Sequence, residues 1–302
     1  MYATRQNFIA LFWLFSLVAF EAAKLTAQTN LTLRVGLVTR ANPVPSAASI
    51  ARGVQLGAAE AEKTATLFGG SVLLFEESVT SRAEAAAARL LSQRKVQLLV
   101  GSSAQDAEAL SRFAETHGLI FFNAASRSSA LRVSCRRHTF NVEASDSMYS
   151  SALRRRTTPG VADSAVLWAA SLEKYGASQV NERFRNRYKL PMDGSAWAGW
   201  IAVKIAAEAA LRARSARPAD LLAYLEASST SFDGHKGWPL SFRSVDHQLR
   251  QPLYVVARLP RGSLPRIQET PQLSALGAAG ATANQLLDQL MPQASSCRQN
   301  RI

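Results

Sequence analysis

Two acid–histidine pairs, Asp233-Gly234-His235 and Asp246-His247, have residue types and spacing that could do chemistry. A pair of this kind can act as a general base or supply half of a metal site. No third ligand or nucleophile motif lies nearby, and the motifs GxSxG, HExxH and GxGxxG are missing. Turn residues within a β segment explain Asp233 and Gly234 more simply. The sequence therefore predicts no enzymatic activity, no catalytic residue, no metal site and no cofactor.

Three segments rich in small and hydroxyl-bearing residues are the better candidates for binding. They are residues 39–45, 101–103 and 124–129, and none of them contains an acid. Small side chains let a ligand approach the backbone, and hydroxyl groups supply oriented hydrogen bonds. These features indicate a clamp for polar groups without a catalyst. For any single serine, an ordinary role in a turn or a helix N-cap is the alternative.

An alternation of strands and helices places these segments. The pattern predicts strands at 31–40, 71–76, 96–100 and 119–123, and helices at 45–66, 81–94 and 106–117. Ser81, with Glu84 three residues later, predicts a capping box for the second helix. The strands are apolar enough to be covered on both faces, which is typical of a doubly wound parallel sheet of the α/β class. Ligands of such sheets bind beyond the carboxyl ends of the strands, where the three segments fall.

The pattern changes beyond Cys135. A short strand is predicted at the next apolar stretch, followed by four helices, a segment of short strands and a C-terminal part of loop and weak helix. In chain order these are the strand 139–142, the helices 148–156, 171–188, 195–214 and 218–226, the strands within 231–259, and the tail 260–302.

The N-terminal segment has the features of a signal peptide. Arg5 precedes the 13-residue apolar run Phe8–Phe20 (FIALFWLFSLVAF), which is too short to span a bilayer, and Ala27 offers a small residue for cleavage. An uncleaved anchor and a buried N-terminal helix are the alternatives. We predict export to the periplasm, with residues 1–27 as the signal peptide.

The net charge of +13 does not indicate nucleic-acid binding. The 35 basic residues are scattered, and the densest runs, Arg136–His138 and Arg154–Arg156, are short. Basic residues interleaved with exposed aromatic residues, the usual pattern of strand binding, are missing. We therefore predict no nucleic-acid partner.

The two cysteines, Cys135 and Cys297, predict a disulfide bond in an exported chain. The bond would close a loop of more than 160 residues. Closing such a loop stabilises the fold by about 4–5 kcal/mol in the chain-entropy description. Two separate buried thiols are the alternative.

Four blocks of the sequence carry a resemblance to a known family. They are FFNAASRSSALRVSCRRHTFN at 121–141, WAASLEKYGASQVNERF at 168–184, MDGSAWAGWIAVKIAAEAAL at 192–211 and FDGHKGWPLSFRSVDHQLRQPLYVV at 232–256. Together with the apolar N-terminal segment and the VGLV and VGSSAQ motifs, they resemble the type I periplasmic solute-binding proteins of the branched-chain amino-acid class of ABC importers. The resemblance is greatest for the branch that accompanies PQQ-dependent alcohol oxidation, and the last block is the most specific.

The resemblance implies a hinged receptor of two lobes that has no enzymatic activity. It implies a ligand-binding role for the turns at Ser102, Ser103 and 124–126, and Trp168 completes the predicted site. The predicted ligand-binding residues are Ser102, Ser103, Ala124, Ala125, Ser126 and Trp168. The resemblance also supports the pairing of the two cysteines, because that branch keeps a cysteine near each place.

One departure from the family concerns the second lobe. Only residues 154–166 fill the place where two to three βαβ units are expected, at about 30 residues each. We predict a complete first lobe at 28–145, a shortened second lobe at 146–259 and a tail at 260–302 that returns to the first lobe. We also predict weak or absent ligand binding, and burial of the apolar helix faces of the second lobe against the first lobe or a second copy. The residues of these faces are Trp197, Trp200, Ile201 and Ile205.

The sequence as a whole predicts an exported substrate-binding protein. Its ligand would be a small polar organic solute linked to quinoprotein alcohol catabolism, and its partner an ABC permease in the inner membrane. A homodimer is left open. The alternative is a periplasmic accessory or scaffolding protein that is derived from the same fold and transports nothing.

Overall fold

Five parallel strands form the main sheet. In chain order they are β1 Thr32–Arg40, β2 Ser71–Val79, β3 Leu98–Gly101, β4 Ile120–Asn123 and β5 Thr139–Asn141. They are arranged in the order β2-β1-β3-β4-β5. The computed structural model describes residues 31–134, 136–155, 162–258 and 266–292. Strands β3 and β4 are buried along their whole length, as expected for apolar strands in the middle of a parallel sheet.

Helices cover both faces of this sheet. They are α1 Pro45–Leu67, α2 Ala83–Arg94, α3 Ala107–His117 and α4 Ser129–Val133. Successive side chains of a strand point to opposite faces. Leu98 and Val100 accordingly pack in the apolar cluster that contains α1, whereas Leu99 packs in the cluster that contains α2 and α3. The sheet is therefore doubly wound, as the sequence predicts.

Two smaller antiparallel sheets follow in the chain. Their strands are β6 Ala162–Val166, β7 Phe232–Asp233, β8 Pro239–Phe242, β9 Leu249–Arg250, β10 Leu253–Arg258 and β11 Arg266–Thr270. One sheet has the order β11-β10-β6, and the other has the order β7-β8-β9. Helix α5, Asp146–Arg154, follows β5 and packs against β6 and β10.

The remaining helices are α6 Ala177–Tyr188, α7 Gly194–Ala213, α8 Pro218–Glu226 and α9 Ala283–Asp288. Helix α7 packs along α1 at a distance that only glycine allows. A Cβ atom on Gly53 would lie 1.9 Å from the carbonyl oxygen of Ala196, and a Cβ atom on Gly199 would lie 2.2 Å from that of Ile50. None of the helices in the described ranges is long and apolar enough to cross a membrane.

The apolar face of α7 is fully covered by this contact and by its other neighbours. The four predicted residues Trp197, Trp200, Ile201 and Ile205 are each at most 1% exposed. Their predicted burial is therefore confirmed. The most extensive contact of α7 is with α1, a helix that covers the main sheet of the same chain.

The predicted capping box of α2 is wrong. The residue that precedes the first helical turn is Arg82, in an extended conformation and without a side-chain cap. Ser81 therefore lies one residue too early for its hydroxyl group to reach the free amide groups. The carboxylate of Glu84 instead accepts a hydrogen bond from its own backbone amide, which is the main cause of its lowered pKa.

Two other expectations need correction. The helix predicted from residue 171 begins only at Ala177, because Tyr175 and Gly176 have left-handed backbone conformations with φ of 57° and 83°. The tail, predicted as loop and weak helix, contributes strand β11, which pairs with β10. The predicted signal peptide and both cysteines lie outside the described residues.

Candidate functional site

The carboxyl ends of β1, β3 and β4 meet at one edge of the main sheet. Val38 pairs with Gly101, and Gly101 pairs with Asn123, so the segments that follow these strands lie side by side. This edge therefore collects five of the six predicted site residues, which are Ser102, Ser103, Ala124, Ala125 and Ser126. We refer to it as the carboxyl edge.

Ser102 fastens the end of β3 to β1. It is 1% exposed, and both its backbone amide and its hydroxyl group donate hydrogen bonds of 3.1 Å to the carbonyl oxygen of Val38. Ser103 is partly exposed and precedes a single turn of 3-10 helix, Ala104–Asp106. Of these two serines, Ser103 is the more accessible.

The turn after β4 is organised by the side chain of Asn123. Its Oδ1 accepts hydrogen bonds from the backbone amides of Ala125 (3.3 Å) and Ser126 (2.8 Å). Its Nδ2 donates to the carbonyl oxygen of Ser126 and to Oδ1 of Asn141 on β5. Ser126 Oγ accepts a hydrogen bond from the amide of Ser128. The backbone amides of Ala125 and Ser126, in the turn to which the resemblance assigns ligand binding, are thus occupied by an internal partner.

Trp168 lies in the core beside α6 and α7. Its indole nitrogen donates a 2.8 Å hydrogen bond to Oδ1 of Asn181, and its ring stacks on Trp197 with centroids 6.0 Å apart. It is 2% exposed. Its contacts are those of a core residue, and a role in ligand binding stays a prediction.

Three arginines, which the sequence analysis did not include in the site, accompany the carboxyl edge. Arg40 makes a two-pronged ion pair with Asp106, at 2.5 Å and 2.8 Å. The hydrogen bonds to Asp106 raise the pKa of Arg40 above its usual value. The signal for this pair was weak, because Asp106 lies 66 positions away from Arg40 in the sequence.

Arg132 is buried and connects three segments of the chain. Its guanidinium group donates to the carbonyl oxygens of Ser126 (3.0 Å), Ser128 (2.7 Å) and Glu143 (2.5 Å), and to Oε1 of Gln248 (2.8 Å). Burial lowers the pKa of Arg132 to about 10, so the group remains charged at neutral pH. Arg132 fixes the turn after β4 relative to the segment between β5 and α5.

Arg127 is the exposed member of the three, and it lies beside a buried carboxyl group. Its guanidinium carbon is 4.1 Å from the centre of the Tyr149 ring, and its Nε is 3.7 Å from Oε1 of Glu143. Tyr149 donates a 2.6 Å hydrogen bond to the same oxygen. Burial raises the pKa of Glu143 to about 7, although Tyr149, Arg127 and Arg132 act in the opposite direction.

The two acid–histidine pairs make structural contacts. Asp233 accepts a hydrogen bond from the amide of His235, whose ring stacks on Trp200 at 5.6 Å. The ring of His247 stacks on Phe140 at 4.4 Å, and Asp246 forms an ion pair with Arg243. Across the described part of the chain, no group of three or more His, Cys, Asp or Glu residues is arranged to hold a metal ion.

A groove of about 740 Å³ lies between α1 and α7, at the opposite edge of the main sheet. Apolar and charged residues of both helices line it, together with residues next to β1 and α1. The lining residues include Leu31, Ala61, Phe68, Trp200, Leu211 and Arg212. The groove begins where β1 begins, and it is therefore separate from the carboxyl edge.

Comparison with known proteins identifies the architecture. No protein-family model matches the sequence, and no curated protein matches it. Solved structures do match. One is the leucine-, isoleucine-, valine-, threonine- and alanine-binding protein of Brucella ovis in its closed conformation, with 9% identity, a TM-score of 0.69 and coverage of 88% of this chain and 98% of that chain. The chain has the type I periplasmic-binding-protein fold.

Two further structures with this fold are similar. One is a branched-chain amino-acid ABC transporter periplasmic ligand-binding protein of Burkholderia xenovorans, with 11% identity, a TM-score of 0.67 and coverage of 78% of this chain and 94% of that chain. The other is an ABC transporter solute-binding protein of Rhodopseudomonas palustris in complex with benzoate, with 14% identity, a TM-score of 0.63 and coverage of 79% and 96%. At these identities the similarity establishes the fold, and the predicted α/β fold class is confirmed.

Proposed function

We propose that the chain is an exported substrate-binding protein of an ABC-type importer and has no enzymatic activity. The observation that carries the proposal is the carboxyl edge of a type I periplasmic-binding-protein fold, formed by small and hydroxyl-bearing residues with arginines beside them. The solved structures with the same fold include proteins described as ABC transporter ligand-binding proteins. The ligand is a small polar organic solute, and the partner is a permease in the inner membrane.

The ligand occupies the carboxyl edge in this proposal. Ser103, Ala125 and Ser126 contact it, while Ser102 and Ala124 hold the ends of β3 and β4 in place. Trp168 supports the opposite wall from the core. The hydrogen bonds of Arg132 to the carbonyl oxygens of Ser126 and Ser128 support this arrangement, because they keep the turn after β4 in one conformation before a ligand binds.

The second lobe, at 146–259, is shortened in this proposal. It consists of α5, β6 and the helices and strands that follow, and the tail from residue 260 adds β11 to its sheet. Lobe closure would bury the solute between this lobe and the first lobe at 28–145. With few strands in the second lobe, binding is weak.

The assignments of the N-terminal segment and of the two cysteines follow from export to the periplasm. Residues 1–27 are removed as a signal peptide, so the mature protein begins near Gln28 in the periplasm. Cys135 and Cys297 form a disulfide bond there. Intact-mass analysis of periplasmic extract tests the first point, and alkylation of the native, non-reduced protein tests the second. Retention of Met1, or two alkylated thiols, would contradict them.

The alternative function is that of a periplasmic accessory or scaffolding protein, possessing the same fold without transport. The observation that favours it is the internal pairing at the carboxyl edge, where Ser102 and the amides of Ala125 and Ser126 already have partners. A homodimer fits either function. An adjacent gene pair that encodes a permease and an ATPase favours transport, and its absence favours the accessory role.

A thermal-shift screen tests the proposal. The screen covers alcohols, carboxylic acids, amino acids and PQQ, since the resemblance points to quinoprotein alcohol catabolism. A ligand that binds only the folded state stabilises it by about 2.7 kcal/mol at a hundredfold excess over its Kd. Ser126→Ala is expected to weaken binding by about 1 kcal/mol, because it deletes one hydrogen bond. Ser92→Ala, at an exposed position of α2, is the control. Failure of every compound to stabilise the protein would favour the accessory role.

A further inference from the structure

Arg127 differs from the other two arginines of the carboxyl edge in what its guanidinium group contacts. Arg40 is paired with Asp106, and Arg132 makes four hydrogen bonds to groups in the described part of the chain. The side chain of Arg127 is 51% exposed and directly follows Ser126. It is therefore the arginine of this edge that a solute can reach.

The donors of Arg127 are free for such a solute. Within the described ranges, no hydrogen bond is made by its guanidinium group, and its nearest carboxylate oxygen, Glu143 Oε1, is at 3.7 Å. That distance is longer than a hydrogen bond. The Tyr149 ring beneath the guanidinium group, at 4.1 Å, holds its plane by a cation–π contact. An arginine that is held in place and has free donors suits a planar, two-oxygen acceptor.

The charge of Arg127 is only partly compensated by its surroundings. Glu143 is fully enclosed and shares one oxygen with the Tyr149 hydroxyl group. Its pKa, raised to about 7 by burial, leaves it partly protonated at neutral pH. Other charged groups near this position include the buried Arg132 and the exposed Asp146 at the start of α5, and Asp246 also acts on Arg132. A second negative charge can therefore be accommodated beside Arg127.

We infer that Arg127 is the anion-binding residue of the carboxyl edge and that the solute is a small organic acid bound through its carboxylate group. This inference rests on the proposed function and names its substrate class. The carboxylate accepts two hydrogen bonds from the free edge of the guanidinium group, and the remainder of the solute lies along Ser126 and Ala125. Glu143 and Tyr149 act as positioning residues for Arg127.

The experiment compares acids with their matched amides. Benzoate and benzamide form one pair, and hexanoate and hexanamide form another. Thermal shifts of the full mature chain at pH 7.5 are followed by calorimetry with any compound that stabilises it. We expect at least one of the acids to bind and its amide to bind at least tenfold more weakly, because the amide lacks the charge.

Three variants accompany the panel. Arg127→Gln is expected to weaken binding of the acid at least tenfold, and Arg127→Lys to retain part of the affinity through its charge. Arg187→Gln is the matched control, since Arg187 also lies over a tyrosine ring, that of Tyr188, at 5.5 Å on the exposed side of α6. The Arg187→Gln variant should bind the acid with the same affinity as the unmodified protein. The unfolding temperature of each variant without ligand shows whether it is folded.

The outcomes separate the inference from the proposed function. Equal binding of an acid and its amide, or binding by Arg127→Gln within twofold of the unmodified protein, overturns the inference and leaves the proposed function standing. Binding of only neutral compounds from the wider screen likewise overturns the inference and leaves the proposed function standing. Absence of binding by every acid, amide and screened compound overturns both.

Discussion

The ammonium nitrogen of Lys236 lies 3.8 Å from the centre of the Trp197 ring. Lys236 is fully buried, and its ammonium group donates hydrogen bonds to Oε1 of Gln251 (3.0 Å) and to the carbonyl oxygen of Pro252 (3.1 Å). Gln251 in turn donates to the carbonyl oxygen of Val142, just after β5. Lys236 thus ties the segment between β7 and β8 to the start of β10, and Gln251 ties the start of β10 to the end of the main sheet.

The buried Lys236 should make stability depend on pH. Burial lowers its pKa well below the usual value, so the unfolded chain binds this proton more tightly than the folded chain. The free energy of unfolding therefore rises as the pH increases from the folded pKa toward about 10.5. Lys236→Met should lack this rise. Urea unfolding between pH 7 and pH 10.5 measures the difference, and Lys63→Met, at an exposed position of α1, is the control. Parallel profiles for Lys236→Met and the unmodified protein would contradict the expectation.

Glu143 should have the opposite effect at lower pH. Its pKa is raised to about 7 in the folded protein, so the folded chain holds the proton more tightly. The contribution of protonated Glu143 to the free energy of unfolding is fully present below the unfolded pKa. It is lost as the pH rises from about 4.5 to about 7. The loss amounts to about 3 kcal/mol. Glu143→Gln keeps the acceptor for Tyr149 and should remove this fall.

The control for this measurement is Glu108→Gln. The hydrogen bond from Arg136 lowers the pKa of Glu108, so its contribution is lost as the pH falls rather than as it rises. The charged and titratable groups that face Glu143 are Tyr149, Arg127 and Arg132, with Lys236 further away. A fall in stability of unchanged size between pH 5 and pH 7.5 in Glu143→Gln would assign the effect to another group.

Much of the fold was predictable from the sequence because its determinants are local. The apolar run at β3 and the Phe121-Phe122 pair of β4 predict strands that are covered on both faces of a sheet. The start of α6 was not predictable in this way. Left-handed conformations at Tyr175 and Gly176 break the helical pattern, and they depend on packing against His235 and Gly237 from a distant segment.

The candidate site was predictable only in its position. Parallel strands put the serines and alanines at one edge, whatever their partners are. What those residues do is decided by partners far away in the sequence, such as Arg132 and Gln248, which are 116 positions apart. Local patterns carry no information about such a contact. The same applies to strand β11, whose weak pattern becomes a strand through its pairing with β10.

The contact between α1 and α7 gives a prediction about glycine. Gly53→Ala would place a Cβ atom 1.9 Å from the carbonyl oxygen of Ala196, and backbone atoms of two long helices cannot move apart cheaply. We expect a loss of about 3 kcal/mol or more in the free energy of unfolding. The matched control is Gly118→Ala, where nothing lies within 4 Å and only the left-handed φ of 65° is unfavourable. That control should lose about 1 kcal/mol. Equal losses in the two variants would show that the helices separate easily.

The hydrogen bonds of Arg132 give the last prediction. Arg132→Met removes four donated hydrogen bonds to groups in the described ranges, and three of these four acceptors keep another donor. The carbonyl oxygen of Ser126 retains Asn123, and that of Glu143 retains Gln248. The carbonyl oxygen of Ser128, the N-cap of α4, keeps the first backbone hydrogen bond of that helix, so only Oε1 of Gln248 is left without a donor. We expect a loss of about 1–3 kcal/mol in the free energy of unfolding, which is the usual cost of one buried acceptor left without a donor.

A double-mutant cycle with Gln248→Met separates this network from general packing. Arg132 and Gln248 are joined by a 2.8 Å hydrogen bond. Once either residue is replaced, replacing the other therefore causes a smaller loss in the free energy of unfolding. The two losses should therefore sum to at least about 1 kcal/mol more than the loss of the double variant. Arg112→Met, at an exposed position of α3, should change stability by less than about 0.5 kcal/mol. Losses at Arg132 and Gln248 that add within about 0.5 kcal/mol would mean that the two residues act independently, and that the turn after β4 is held by Asn123 without Arg132.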